Sequence, residues 1–82
     1  MDDKTVRALE EELTELRVIL ARKRSEVSNL KTGYIRAVEG VGPIPPEPLR
    51  RNLIATRAEL TEIEQRIAAI QLELGTISSL TP

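Results

Sequence analysis

The amino-acid sequence predicts an all-α fold: an antiparallel two-helix hairpin of the coiled-coil type, packed into a multi-helix assembly. Two heptad-patterned segments indicate this, together with the proline-rich segment that separates them. That segment, residues 40–48, holds four of the five prolines and two of the four glycines. Proline removes a backbone donor and clashes with the preceding helical turn, and glycine readily takes positive φ. We therefore expect the chain to reverse there, at the tip of a hairpin.

The first predicted helix spans about residues 4–39, where apolar side chains recur at alternating spacings of three and four. Asp2 and Asp3 can cap its first turn. Gly33 marks either a close helix contact or an early end of the helix. We call the a and d positions of both helices the seam; on this helix they are Val6, Leu9, Leu13, Leu16, Leu20, Lys23, Val27, Leu30, Tyr34 and Ala37.

A loop over residues 40–47 leads to the second predicted helix, about residues 48–74, with a proline in its first turn. Gly75 is expected to stop this helix and to leave residues 75–82 as an irregular tail. Ile77 and Leu80 keep the apolar phase, so the alternatives are a helix that continues past Gly75 or a tail that folds back onto the hairpin. We expect the whole chain, residues 1–82, to form a single helical-hairpin domain. The second half of the seam is Leu49, Leu53, Thr56, Leu60, Ile63, Ile67, Ile70, Leu74 and Ile77.

Flanking charges predict how the two helices are paired. In one register Leu20 faces Ile70, and two opposite-charge pairs result: Glu26 with Arg66, and Lys31 with Glu64. Sliding by half a heptad instead brings like charges together: Glu26 with Glu59, and Glu12 with Glu73. Each exposed pair contributes only a few tenths of a kcal/mol, but all of them favour the first register.

Composition argues against an enzyme. The 82 residues include no Cys, no His and a single aromatic residue, a tyrosine. The chain therefore lacks a thiol nucleophile, a Cys/His zinc site and an imidazole for acid–base work, and we expect no catalytic residue, metal or cofactor. The polar start of the chain leads into no apolar stretch, so we expect neither a signal peptide nor a membrane span. A cytoplasmic protein or a component of a particle is the corresponding expectation.

Within residues 14–36 and 54–79, the faces opposite the seam, the b and f heptad positions, carry no charge where an isolated soluble coiled coil would have many. We call these stripes the outer faces. Further helices are expected to pack there, from sister chains or a larger partner; the alternative is a solvated surface of small residues. The outer face of the first helix is Thr14, Val18, Ala21, Ser25, Ser28, Thr32 and Ile35. That of the second helix is Ile54, Ala58, Thr61, Gln65, Ala68, Leu72, Gly75 and Ser79.

Charge is also divided along the chain. Residues 17–57 contain nine basic and three acidic residues, whereas the remainder contains three basic and ten acidic residues. Folded as a hairpin, this predicts a rod with a basic tip half and an acidic open end. The predicted basic tip comprises Arg22, Arg24, Lys31, Arg36, Arg50 and Arg51. Such a field can orient a protein partner or attract phosphate, although aromatic residues typical of nucleic-acid binding are missing.

One short motif, residues 45–50, fits the pattern P-x-x-P-x-R of a polyproline II ligand. A stiffened turn followed by a proline helix start is the interpretation we prefer.

The sequence thus favours a non-catalytic structural or adaptor subunit that oligomerises or docks into a larger protein assembly by helix–helix packing. An accessory component of a viral or phage particle is a specific form of this hypothesis that no motif supports. The alternative is a nucleic-acid-binding or regulatory helical module that uses the basic tip.

Overall fold

The computed structural model describes residues 3–40 and 44–80, which form two long α-helices packed against each other. Helix α1 spans Asp3–Val38 and helix α2 spans Pro46–Leu80. Glu12 contacts Arg66 while Lys23 contacts Glu59, so positions advance along α1 as they retreat along α2. This antiparallel pair is a rod of 61 × 15 × 14 Å. The predicted all-α hairpin is confirmed.

The core is the seam, as the heptad pattern predicts. Each seam residue of both helices is buried or half-buried. Burial is deepest towards the open end of the rod, where α1 begins and α2 ends; Ile70 is the most buried side chain there, at 0% exposure. It lies in a cluster with Leu9, Leu13 and Ile67, and the flanking residues packed on that cluster are Leu16, Leu20, Ile63, Leu74 and Ile77. An aliphatic core of this kind fits a chain with almost no aromatic residues.

The turn at the tip begins at Gly40, which has a φ of +76°. Its backbone N–H donates to the Ala37 carbonyl, three residues earlier, at 3.1 Å, and this hydrogen bond closes the end of α1. Glycine takes this left-handed conformation without the steric cost that a Cβ would add. Residues 41–43 lie outside the described residues, so the predictions for Gly42 and Pro43 do too.

Helix α2 begins at Pro46, two residues before the predicted start. Pro46 and Pro48 both lie in its first turn, where backbone N–H groups have no partner within the helix and a proline costs little. Since residues 46–50 are helical, most of the P-x-x-P-x-R segment is not polyproline II. These prolines therefore mark the start of a helix, as predicted.

The predicted end of α2 at Gly75, and the irregular tail after it, are wrong. The helix continues to Leu80. Thr76 and Ser79 hydrogen-bond back to the carbonyls one turn earlier, both at 3.0 Å, and Ile77 packs on the core. A glycine in a helix interior costs only about 1 kcal/mol relative to alanine. The packing of Ile77 on the core offsets this cost. Asp2 and the terminal Pro82 lie outside the described residues.

The predicted register is also wrong. Arg66 donates to Glu12, from Nε to Oε1 at 2.8 Å, instead of lying near Glu26. Glu64 lies 3.8 Å from Arg24 rather than near Lys31. The helices therefore adopt the other register, half a heptad away.

Two cations explain why this register is stable despite its like charges. The Lys23 ammonium contacts Glu59 and lies 3.5 Å from Glu26, between the two carboxylates that were expected to repel. Arg66 binds Glu12, and attraction to Glu73 raises the pKa of Arg66 further. Each like-charge pair of carboxylates, Glu26 with Glu59 and Glu12 with Glu73, therefore has a cation beside it. The same register places Gly33 beside Leu49, where an added Cβ would meet the leucine Cδ1 at 3.9 Å.

Candidate protein-interaction surface

The outer faces of both helices are exposed along their full described length. On α1, Val18 is 50% exposed, and Ala21 and Ser25 are exposed beside it. On α2, Ile54 is 58% and Leu72 is 74% exposed. The remaining predicted interaction residues of α2, all exposed, are Ala58, Thr61, Gln65 and Ala68. The hairpin by itself therefore leaves a second apolar stripe uncovered on each helix.

Four of the six hydroxyl groups of the outer faces are already hydrogen-bonded within their own helices. Thr14, Thr32 and Ser79 each donate to the carbonyl four residues earlier at 3.0 Å. Thr61 does the same to the Arg57 carbonyl at 3.1 Å. Burying a polar group without a partner is costly, but these groups have partners before any contact forms. Another helix can therefore cover these four hydroxyl groups at a small desolvation cost.

The two edges between the helices differ from the outer faces because they carry ion pairs. Arg66 donates two hydrogen bonds to the Glu12 carboxylate, from Nε to Oε1 at 2.8 Å and from Nη2 to Oε2 at 2.9 Å. This hydrogen bond holds the pKa of the Glu12 carboxyl below its ordinary value and raises the pKa of Arg66. The hydrogen bond to Glu59 likewise raises the pKa of Lys23. These contacts lie between the two helices and leave the outer faces available.

The basic tip is less basic in the folded rod than along the sequence. The register places Glu59 beside Lys23, and Arg24 lies 3.8 Å from Glu64. Arg51 also lies 3.6 Å from Glu47 on its own helix. Residues 21–62, the half of the rod nearer the tip, contain eight basic and five acidic residues. Within the part of the chain that the structure describes, the basic residues of the predicted tip without an ion pair are Arg22, Lys31, Arg36 and Arg50.

The grooves along the rod offer little for chemistry. One of about 550 Å³ near the tip is lined by Glu26, Asn29, Asn52 and Glu59 among apolar residues. Both carboxylates are already bound to Lys23. Over residues 3–40 and 44–80, no three acidic side chains are grouped to hold a metal ion, and neither helix is apolar enough to span a bilayer.

Sequence reasoning missed three exposed aliphatic residues outside the outer faces. Ile19 lies on an edge of the rod, whereas Val38 and Ile44 lie at the tip. Each stands alone in the heptad pattern, so the periodicity gave no reason to single it out. Single exposed aliphatic residues are common on protein surfaces.

The fold defines the class as an all-α helical hairpin of coiled-coil type. Comparisons with protein-family models, curated proteins and solved structures find no match to this chain.

Proposed function

We propose that the protein is a non-catalytic structural or adaptor subunit, which oligomerises or docks into a larger protein assembly through its outer faces. The observation that carries this proposal is the exposure of an uncharged stripe along α2, with Leu72 74% exposed. A soluble helix normally places charged and polar residues opposite its buried face. Here all six charges between Ile54 and Ser79 lie elsewhere on the helix.

Thermodynamics also supports an assembled state. The hairpin buries one stripe per helix, and Leu9, Leu13, Leu53, Ile67 and Ile70 are its buried hydrophobic residues among those described. Single cores of small domains seldom supply more than about 3–5 kcal/mol. A partner that covers an outer face adds buried apolar area, and binding to the folded form stabilises it by mass action.

The test places charge on the outer face of α2. Ala68→Glu with Leu72→Glu sets two carboxylates one turn apart on this face. If another helix covers the face, each buried unpaired charge costs several kcal/mol and assembly is lost. We expect light scattering to report a smaller mass and circular dichroism a lower melting temperature than for the parent.

A matched control adds the same charge elsewhere on α2. Gln71→Glu with Ser78→Glu introduces two carboxylates at exposed positions outside the outer face. This control should keep the mass and melting temperature of the parent. An unchanged mass for the Ala68 and Leu72 variant, at concentrations where the parent is multimeric, would refute the proposed role of this face.

The nucleic-acid alternative has less support. Neutralisation of Lys23 and Arg24 by Glu59 and Glu64 weakens the field of the tip. Proteins that bind through phosphates lose affinity steeply with salt. The test is to measure the affinity of the protein for duplex DNA or RNA at salt concentrations from about 50 to 200 mM. A steep fall in affinity over this range would favour the nucleic-acid alternative.

A further inference from the structure

We propose that the partner covering the outer face of α2 is a second copy of this chain, lying side by side with the first and antiparallel to it. This inference rests on the proposed function and specifies its partner. Two hairpins joined in this way form a four-helix arrangement with α2 of each copy at the centre. The contact is isologous, because the same face is used by both copies.

The outer face of α2 has a sequence suited to pairing with itself. Ile54 and Leu72 are about five helical turns apart, so their side chains project in the same direction. From Ile54 to Leu72 the stripe reads large, small, polar, polar, small, large: Ile54, Ala58, Thr61, Gln65, Ala68 and Leu72. The last two residues of the outer face, Gly75 and Ser79, lie beyond this symmetric part.

An antiparallel copy brings matching parts of this stripe together. Ile54 then faces the partner's Leu72, and Ala58 faces the partner's Ala68. The centre of the stripe coincides with the middle of α2, whose bounds are Pro46–Leu80. Both rods therefore overlap along their whole length.

The dimensions of the rod favour a side-by-side contact. The long side measures 61 × 15 Å, about 900 Å², so it has room for the roughly 800 Å² that each partner buries in a stable interface. The end measures 15 × 14 Å, about 200 Å², well below that requirement. End-to-end contacts between copies are therefore too small to hold them together.

Charges select the antiparallel orientation. A parallel pair would lay the basic half of each rod along the basic half of the other. The antiparallel pair instead lays the basic half of each rod along the acidic half of the other.

The outer face of α1 is a poorer site for a second copy. It is flanked by Arg17, Arg22, Arg24, Lys31 and Arg36, with Glu15 as an acidic neighbour near one end. Pairing α1 with itself would bring Arg24 of each copy near Lys31 of the other. Like charges across a helix contact are destabilising. The contact is therefore assigned to α2.

Disulfide cross-linking tests this geometry, since the described chain has no cysteine of its own. The variant carries both Ala58→Cys and Ala68→Cys. Within one helix these positions are about 15 Å apart, too far for a disulfide, which requires Cα atoms within about 7 Å. Between antiparallel copies they face each other. Under mild oxidation we expect most of the variant to become a covalent dimer that reductant separates.

Three controls distinguish this pairing from others. Ala58→Cys alone and Ala68→Cys alone should remain single chains. In the antiparallel contact each of these cysteines is about 15 Å from the same residue of the other copy, too far for a disulfide. A covalent dimer from either single variant indicates parallel pairing or random collision and overturns the inference. So does a covalent dimer from Ser25→Cys alone, which lies near the middle of the outer face of α1 and reports pairing through α1.

The inference and the proposed function fail in different ways. A parent that is multimeric by light scattering, but whose Ala58 and Ala68 cysteine variant does not cross-link, overturns the antiparallel α2 pair and leaves the assembly role standing. A parent that stays monomeric overturns the second copy as partner. Loss of the assembly role requires in addition that Ala68→Glu with Leu72→Glu changes neither the mass nor the melting of any complex the chain forms.

Discussion

Replacing Ile70 by alanine is expected to be among the most damaging single changes that the seam allows. Ile70 is 0% exposed and lies within the cluster of Leu9, Leu13 and Ile67. Removal of large aliphatic side chains from cores costs about 2–5 kcal/mol, made up of lost transfer free energy and the cavity left behind. A thin two-helix core seldom holds more than about 3–5 kcal/mol. Ile70→Ala should therefore unfold much of the protein at room temperature.

Ile19→Ala provides the matched control, because it makes the same chemical change on an edge of the rod. Ile19 is 40% exposed and lies outside the seam, so we expect a loss below about 1 kcal/mol. Urea denaturation followed by circular dichroism, at equal chain concentrations, measures both losses. Equal losses for the two variants would refute the placement of Ile70 in the core of the hairpin.

Further predictions concern two glycines, the ion pairs and the tip. Gly40→Ala should lower stability by about 1–2 kcal/mol because φ is positive there, whereas Gly75→Ala, with open space around the new Cβ, should raise it by up to about 1 kcal/mol; urea titrations measure both. The lowered pKa of Glu12 adds stability above its ordinary value of 4.5, and this stability is lost as pH falls through the lowered pKa. Glu12→Gln should therefore lower the melting temperature at pH 7 and have less effect below pH 4.5, and an effect that grows with acidity would contradict this. Arg22→Glu with Arg36→Glu should leave melting nearly unchanged, because exposed charges contribute about 0–1 kcal/mol each; unfolding would place these arginines in the core.

The hairpin and its buried positions were predictable from sequence because they depend on strong local signals. Prolines between residues 43 and 48 exclude a continuous helix, and spacings of three and four identify the seam. Both signals act over one or two turns. The exposed state of the outer faces follows from the same periodicity, since whatever lies opposite the seam is uncovered in a single hairpin.

Register and helix length were not predictable in the same way. Counting pairs treated Glu26 and Glu59 as repelling, but Lys23 lies between them and contacts both. Whether a seam lysine reaches the edge is a property of three side chains in space. Gly75 was expected to stop α2, yet Ile77 one half-turn later packs on the core and keeps the helix intact. In both cases the outcome depended on three-dimensional contacts between the helices that the sequence pattern does not show.

The central claim is that two rods lie side by side along their outer faces, and small-angle X-ray scattering with a simultaneous mass determination tests it most directly. One hairpin has a mass of 9.2 kDa and a longest Cα extent of 61 Å. The side-by-side antiparallel pair predicts twice this mass with almost the same maximum dimension, and a cross-section widened in one direction. Twice the mass with a nearly doubled length would show end-to-end association. A single-chain mass at every concentration measured would contradict the pairing outright.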